Sequence, residues 1–278
     1  MLAQGAAAPK KRKEPVSYDI ESYWSRVAGD IRNRGPKNYV AGDDDPYYRY
    51  KRAKFLRRFL ATLDVAGQRV LELGCGPGGN LLELVHRGPA MMVGIDISAG
   101  MLTLAQQTLE GIRVPIELKK TDGQRLPLGD RSVGLAFTVT VLQHNVDPAG
   151  LRLVIAELCR VTADRIVVME DTGGTRTAPE GTTFIARPID TYRIEFARHG
   201  FDLEAATYLN LRHSRRVHRA IRRLLVPATH REGQPLSASV KIALTLAVTI
   251  TRLLDNTSPD TEDLTRMVFV RSQRTALT

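Results

Sequence analysis

Residues 70–80 read Val-Leu-Glu-Leu-Gly-Cys-Gly-Pro-Gly-Gly-Asn, a short apolar strand that runs into a glycine-dense turn. Glycine removes the side chain where a backbone must approach a ligand closely. The apolar helix predicted from about residue 79 points its positive N-terminus at the same place. This stretch therefore predicts a strand–turn–helix unit that holds a nucleotide-like molecule.

The turn fits two kinds of nucleotide site. Its glycines have the G-x-G-x-x-G spacing over 74–79, which is typical of dinucleotide sites. A second apolar strand ends at Asp96 about 20 residues later, where a carboxylate accepts hydrogen bonds from the ribose of NAD or of S-adenosylmethionine. Glu72, an acid inside the first strand, and the segment 121–128, which follows a third strand, favour S-adenosylmethionine.

Four segments together resemble the class I S-adenosylmethionine-dependent methyltransferases, especially the small-molecule branch. They follow the order and spacing of that family, and the resemblance covers residues 65–210 with a last strand near 267–271. Each segment alone is common, whereas the ordered set is specific. The segments are E-L-G-C-G-P-G-G-N at 72–80, G-I-D-I-S at 94–98, D-G-Q-R-L-P-L at 122–128 and V-L-Q-H-N at 141–145.

The resemblance implies a set of residues around S-adenosylmethionine. Each of them also has an ordinary structural interpretation, as a turn glycine, a helix N-cap or a solvated carboxylate. The implied contacts are Gly74 and Gly76 with the amino-acid end, Asp96 with the ribose, Ile97 beneath the adenine, Asp122 with the adenine amino group, Gly123 through its backbone N–H, and Glu72 and Gln143 elsewhere around the cofactor.

Alternating strand and helix patterns predict an α/β fold: a Rossmann-like, doubly wound, seven-stranded and mainly parallel sheet whose last strand is antiparallel. A helical N-terminal cover precedes it, and a helical insert comes before the last strand. The predicted divisions are a disordered basic tail over 1–16, the cover over 17–64, the cofactor-binding core over 65–210, the insert over 211–265 and the last strand with the C-terminus over 266–278.

The formal charge of +10 is concentrated in two segments, since residues 10–14 carry +3 and residues 205–231 carry +7. The first resembles a nuclear-localisation signal, although a solubilising tail is the simpler interpretation. No apolar stretch is long enough to span a bilayer and no apolar leader is visible, and Cys75 and Cys159 lie in unrelated contexts. A cytoplasmic enzyme is therefore expected.

The second basic segment predicts a helical pair. Arginines over 212–223 follow helical spacing, and the sequence places Val217, Ile221, Leu224 and Leu225 on an opposite, packed stripe. The next helix, 237–255, has almost no polar face and needs cover from its own domain, a second subunit or a lipid-like ligand. We expect the helical pair to form part of a homodimer. The alternative roles of the pair are peripheral contact with a membrane and binding of an anionic or long saccharide substrate. Nucleic acid is not expected, because no recognition module or aromatic platform accompanies the arginines.

Methyl transfer to an alcohol requires a general base near neutral pKa, whereas an amine needs only to be unprotonated. His144 follows the fourth strand and is the candidate base, although a purely structural role is an open alternative. Glu170 and Asp171 end the neighbouring strand and are predicted to orient the imidazole or to accept a substrate hydroxyl, with Asp171 favoured at the open mouth.

Tyrosines cluster before residue 51, where they predict a cover for the acceptor pocket. Tyr39, Tyr47 and Tyr48 are the candidate substrate contacts, and Trp24 lies in the same segment. The carboxylates at 43–45 fit a divalent cation in principle, but solvated carboxylates are the expected interpretation and no metal is predicted.

The sequence thus predicts an S-adenosylmethionine-dependent O-methyltransferase that acts on a small or medium-sized hydroxyl compound, with a saccharide or natural-product alcohol favoured. The alternatives are an N- or C-methyltransferase acting on a lipid or quinone, an NAD(P)-dependent oxidoreductase, and a non-catalytic subunit that binds the cofactor.

Overall fold

A computed structural model describes residues 19–35, 45–173, 183–231, 234–258 and 264–273. Within these residues, one sheet of seven strands has the order β3-β2-β1-β4-β5-β7-β6. The strands are β1 (Arg69–Leu73), β2 (Met91–Asp96), β3 (Ile116–Lys120), β4 (Val133–Val139), β5 (Thr162–Asp171), β6 (Phe201–Leu209) and β7 (Leu264–Arg271).

Strand pairing confirms the predicted fold class. β1 to β5 pair in parallel, and β7 runs antiparallel to both of its neighbours, β5 and β6. The strand order reverses between β1 and β4, so the carboxyl ends of these two strands flank a crevice in which open α/β sheets bind ligands. The division of the chain into the five predicted regions stays a prediction.

Helices cover the sheet close to the predicted positions. The main difference is at the predicted helix 46–64, which ends at Arg58 and is followed by a 3₁₀ turn at Leu60–Thr62. The helices are α1 (Ile20–Asn33), α2 (Pro46–Arg58), α3 (Gly79–Leu84), α4 (Ala99–Thr108), α5 (Pro148–Val161), α6 (Ile189–Ala197), α7 (Arg212–Leu225) and α8 (Ala238–Thr257).

Tight packing fixes the floor beneath the glycine turn. β1 is buried on both faces, as a central parallel strand should be, and Val70 and Leu71 have no exposed surface. In β2, a Cβ on Gly94 would lie 2.8 Å from Leu118 Cδ2 and 3.0 Å from Cys75 Sγ. A side chain at Gly94 would therefore require its neighbours to shift, and the second strand lies close beneath the turn.

The structure corrects part of the predicted packed stripe on α7, because Ile221 packs against Leu236, Val240 and Leu244 whereas the last leucines are exposed. Leu224 is 82% exposed, whereas Ser214 and His218 are buried. The reason is a polar inner face: Ser214 Oγ bonds Thr251 Oγ1 at 2.9 Å, and Asp255 accepts the backbone N–H of His213 at 2.8 Å. Asp255 of α8 thus caps the N-terminus of α7, which has no capping side chain of its own.

The outward face of α8 is apolar and exposed among the described residues. Four side chains, spaced about one turn apart, are each more than half exposed. The described part of the chain therefore does not provide the partner that we expected to cover this helix. None of the described helices is long and apolar enough to cross a membrane. The four side chains are Ile242, Leu246, Ile250 and Leu253.

Candidate functional site

A cavity of about 560 Å³ opens at the carboxyl ends of β1 and β4, where the strand order reverses. The glycine turn forms one wall, the segment after β4 forms a second, and residues of α1 and α2 form a third. The cavity thus combines the predicted cofactor turn with the predicted base and the predicted cover. The residues discussed below that line it are Tyr23, Trp24, Tyr48, Lys51, Arg52, Gly74, Gly76, Gln143, His144, Asp171 and Arg222.

Two glycines of the turn have different roles. Gly74 has φ +73°, and a Cβ there would lie 2.2 Å from Val141 Cγ2, so the backbone packs directly against the segment after β4. Gly76 has φ +52°, and a Cβ there would meet no described atom within 4 Å. The first glycine is required by the protein's own packing, whereas the second keeps open space beside the cavity.

Asp96 ties the turn to the end of β2. Its Oδ2 accepts the Gly76 N–H at 2.9 Å, and its Oδ1 accepts the Ser98 N–H at 2.9 Å. Burial raises the pKa of Asp96, although the bonds from Ser98 and Gly76 act in the opposite direction. The Asp96 carboxylate thus stabilises the conformation of the turn, and the Gly76 N–H already donates a hydrogen bond within the protein.

Replacing Gly76 with alanine is expected to weaken binding of S-adenosylhomocysteine by at least tenfold in calorimetry, because the new methyl group enters the open space. The left-handed conformation should also cost about 1–2 kcal/mol of folding stability. Gly88→Ala is the matched control, since Gly88 has φ +71° and equally open surroundings but does not line the cavity. Equal affinities of the two variants would contradict the assignment of this space to a ligand.

Glu72 and Arg52 lie beside the turn. Glu72 Oε1 accepts Asn80 Nδ2 at 2.7 Å, and its buried Oε2 has no partner among the described residues. Burial raises the pKa of Glu72 to about 8. Arg52 donates to Asn80 Oδ1 at 3.0 Å and to Gly79 O at 3.1 Å. The sequence did not identify Arg52, because nothing distinguishes it from the other basic residues of α2.

The predicted adenine contacts lie after β2 and β3, outside the cavity lining. Ile97 and Gly123 are neighbours, since a Cβ on Gly123 would lie 3.3 Å from Ile97 Cδ1. The predicted donation by Gly123 to the cofactor stays a prediction, and the Gly123 N–H donates here to Thr121 Oγ1 at 3.1 Å. Asp122 is exposed and accepts the N–H groups of Gln124 and Arg125. Its contact with an adenine stays a prediction.

His144 lies at the cavity wall, in a 3₁₀ turn that follows β4. Its Nδ1 lies 2.8 Å from Thr183 O, and the edge of the Trp24 ring packs against the imidazole with centroids 4.9 Å apart. A carbonyl only accepts hydrogen bonds, so Nδ1 carries the proton and Nε2 holds the free lone pair. Burial lowers the pKa of His144, against opposing effects of Thr183 and Asp171. The imidazole is thereby held neutral.

Glu170 corrects one prediction about the base. It is fully buried, and its carboxylate accepts the N–H groups of Val141, Leu142 and Gln143. It therefore fixes the turn that carries His144 and contacts neither the imidazole nor the cavity. Burial raises the pKa of Glu170 to about 8, although those three donors favour the charged form.

Asp171 lines the cavity beside His144, but it does not orient the ring through Nδ1, which Thr183 occupies. Its Oδ1 accepts Arg215 Nη2 at 2.5 Å, and its backbone N–H donates to Gln143 Oε1 at 3.2 Å. The ion pair joins α7 to the end of β5. Arg215 was not among the candidate site residues, because its partner lies 44 residues earlier.

Of the aromatic residues predicted to cover the acceptor pocket, some line the cavity and one is buried in the protein. Tyr23, Trp24 and Tyr48 line the cavity, whereas Tyr39 lies outside the described residues. Tyr47 corrects the prediction of a substrate contact, since it is buried and its ring stacks on His218 with centroids 4.2 Å apart.

Asp45 also corrects an expectation, because it is fully buried rather than solvated. It caps α2 by accepting the Tyr48 N–H at 2.9 Å, and it accepts from His218 Nε2 at 2.9 Å and Arg222 Nη1 at 3.4 Å. Residues 43 and 44 lie outside the described part. In that part, no three His, Cys, Asp or Glu side chains are grouped to hold a metal ion.

Residues 70–165 match a family described as a methyltransferase domain. A malonyl-[acyl-carrier protein] O-methyltransferase of Legionella pneumophila is 36% identical over 103 residues, which cover 37% of this chain and 35% of that protein. This chain thus spans about a third of the length of that relative.

Solved structures share the fold at low sequence identity. The [4+2]-cyclase SpnF has a TM-score of 0.61 at 16% identity, with 91% of this chain and 95% of that chain covered. A phosphoethanolamine N-methyltransferase of Haemonchus contortus, in complex with phosphomonomethylethanolamine and S-adenosylhomocysteine, has a TM-score of 0.58 at 14% identity, with 92% and 61% covered. At these identities, the similarity concerns the fold.

Proposed function

Because residues 70–165 form a class I S-adenosylmethionine-dependent methyltransferase domain, we propose that this chain transfers a methyl group from S-adenosylmethionine to a hydroxyl of a small or medium-sized acceptor. The same match overturns the alternative of an NAD(P)-dependent oxidoreductase. Transfer to oxygen, the acceptor and the roles of individual residues are parts of the proposal.

The residues around the glycine turn fit this cofactor. The open space at Gly76 lies where the resemblance expects the amino-acid end of the cofactor, and the unpartnered Oε2 of Glu72 belongs to another residue that the resemblance places around the cofactor. Ile97 and Gly123 adjoin each other where its adenine is expected. When bound, S-adenosylmethionine supplies a methyl carbon made electrophilic by the sulfonium. Trp24 and Tyr48 would exclude water from that carbon.

The state of His144 carries the proposal of O-methylation. A base must be unprotonated before reaction, and the Nδ1 contact with Thr183 leaves the Nε2 lone pair available. In the proposed step, Nε2 would accept the proton of the acceptor hydroxyl. The acceptor oxygen would bond to the methyl carbon as the carbon–sulfur bond breaks, and S-adenosylhomocysteine would leave. The nearby carboxylate of Asp171 stabilises the resulting imidazolium.

The pH dependence of kcat/KM is expected to follow His144. Because burial lowers the pKa of this imidazole, the neutral base persists below the usual histidine pKa of about 6.5. The rate should therefore rise with pH through a midpoint below that value and be flat at neutral pH. A pH–rate profile checks this, and an acid limb centred above the usual value would contradict it.

The cavity wall supports an acceptor that contains a ring. Aromatic side chains provide flat surface, and Lys51 places positive charge at the cavity, whereas Arg222, which also lines it, is paired with Asp45. A saccharide or natural-product alcohol with an anionic group fits both features. The second candidate, methyl transfer to nitrogen or carbon of a lipid or quinone, is favoured by the exposed apolar face of α8. A cytoplasmic location and a homodimer stay predictions.

Two experiments test the proposal. Calorimetry should detect binding of S-adenosylhomocysteine, and NADH should not bind. Incubation with methyl-labelled S-adenosylmethionine and hydroxybenzoates or sugar phosphates should then give a labelled methyl ether, whereas phosphoethanolamine, which has an amine and no free alcohol, serves as the nitrogen acceptor for comparison. Label on nitrogen or carbon would support the second candidate. Binding without turnover of any acceptor would support the non-catalytic subunit.

A further inference from the structure

The turn that carries His144, residues 141–145, has a hydrogen-bond partner for each of its backbone N–H and C=O groups. Three N–H groups donate to Glu170, and the other two donate to carbonyls inside the turn at 3.0 and 3.2 Å. The carbonyls accept from the turn itself, from the Val146 N–H or from the segment 183–187. So complete a set of partners holds the backbone in one conformation.

Arg187 supplies two of the bonds from the segment 183–187. Its Nη1 donates to Leu142 O at 3.1 Å, and its Nη2 donates to Asn145 O. The side chain is buried, and its planar guanidinium connects two carbonyls that are three residues apart. Because a buried charge is costly unless it is hydrogen-bonded, this arginine depends on the turn as much as the turn depends on it.

The segment 183–187 also carries the acceptor of the His144 ring. Thr183 O lies 2.8 Å from Nδ1 of the ring, and the Ile185 N–H donates to Gln143 O at 2.8 Å. The imidazole thus belongs to the turn, whereas its acceptor belongs to the segment. Arg187 joins the two, so it helps to set the distance on which the tautomer of the imidazole depends.

The residue that leads into the turn has a strained backbone. Thr140 has φ +54°, in the left-handed region that β-branched residues rarely adopt, and it lines the cavity. Such a conformation persists only where the surrounding structure holds it. The bonds from Glu170 and Arg187 to the residues that follow provide this support.

We propose that Arg187 is a positioning residue for His144, because it fastens the segment 183–187 to the turn 141–145 and so keeps Nδ1 of the ring on Thr183. Arg187 does not line the cavity, so it acts on the reaction only through the turn. Its effect on the rate rests on the proposed function, in which Nε2 accepts the proton of the acceptor. A misplacement of the ring by about 1 Å is enough to slow such a step.

Nuclear magnetic resonance of isotope-labelled histidine tests the positioning without any acceptor. The His144 signal, identified by its loss in His144→Asn, should show the proton on Nδ1 in the neutral ring. Arg187→Met donates no hydrogen bond, so the signal should become that of a mixture of the two tautomers. The pKa of His144 should rise towards the usual value of about 6.5, because burial is the largest cause of its lowering.

Arg187→Lys is the conservative variant. Its ammonium is a point donor that cannot connect the two carbonyls as the planar guanidinium does, so its signal should fall between those of the parent and Arg187→Met. The same measurement decides the proposal should Arg187→Met fail to fold. A tautomer in Arg187→Lys identical to that of the parent would then overturn it.

Turnover measures the consequence for catalysis. With the acceptor that the labelling experiment identifies, Arg187→Met should lower kcat by about a hundredfold at unchanged KM. S-adenosylhomocysteine should bind within about twofold of the parent in calorimetry.

Arg271→Met is the matched control, because Arg271 also donates to backbone carbonyls, those of Ala163 and Cys159. These contacts lie at the opposite end of β5 from Asp171. The control should lose stability but keep the His144 signal and the rate.

The two readouts separate the positioning from the reaction. An unchanged tautomer in folded Arg187→Met, or an equal change in Arg271→Met, would overturn the positioning. A changed tautomer with an unchanged rate would support the positioning and show instead that His144 is not the base of the proposed function.

Discussion

His144→Asn is expected to lower kcat by about 10²–10⁴-fold, the usual contribution of a positioned general base. Asparagine retains an N–H that can donate to Thr183 O, so the turn after β4 should keep its shape. The substitution removes the Nε2 lone pair, which the proposal assigns as the proton acceptor. The measurement is single-turnover formation of S-adenosylhomocysteine with an acceptor identified by the labelling experiment.

Two further measurements separate a base from a structural residue. S-adenosylhomocysteine should bind His144→Asn within about twofold of the parent protein, since an intact turn changes affinity by well under 1.4 kcal/mol. The acid limb of the pH–rate profile should disappear, and added imidazole should restore part of the rate to His144→Ala. His86→Asn, at an exposed histidine, should leave the rate unchanged. Full activity of His144→Asn at neutral pH would refute the proposal that His144 is a general base. A purely structural role for this residue would then be the remaining interpretation.

Asp45→Ala is expected to lower the free energy of unfolding by about 3–5 kcal/mol, as removal of one partner from a buried ion pair does. Asp45 is fully buried and is the common acceptor for the cap of α2, for His218 and for Arg222. Its loss leaves those donors without their acceptor and separates α2 from α7. Urea denaturation followed by circular dichroism gives the free energy directly.

Asp64→Ala is the matched control, because Asp64 is exposed in the loop before β1. A surface substitution of this kind should change stability by no more than about 0.5 kcal/mol. Asp45→Asn should fall between the two, since the amide oxygen still caps α2 but the charge facing His218 and Arg222 is lost. A change in Asp45→Ala as small as in the control would mean that the cluster contributes little net stability.

Local sequence patterns predicted most of the fold. The strand β1 and the turn after it each depend on residues within a few positions of one another, as helix caps such as Asp147 also do. Asp147, for example, accepts the Gly150 N–H at 2.8 Å, three residues ahead. The burial of β1 on both faces follows from its apolar run.

The contacts that differ from prediction depend on distant partners. Asp45 was expected to be solvated because its partners, His218 and Arg222, lie 173 and 177 residues away. Glu170 was expected near His144, but the backbone of the turn that carries His144 uses both of its oxygens. On α7 the expected apolar stripe packs at Ile221 but not at Leu224 and Leu225, because much of the inner face of this helix meets buried acids. Patterns within one helix do not reveal such partners.

The place of β7 in the sheet has a consequence for how the chain acquires its structure. β7 lies between β5 and β6, and among the described residues it is the only strand that pairs with β6. During synthesis, the edges of β5 and β6 that pair with β7 therefore stay unpaired until α7, α8 and β7 have left the ribosome. Such waiting edges invite misassembly, so translation stopped between α8 and β7 should yield an insoluble product.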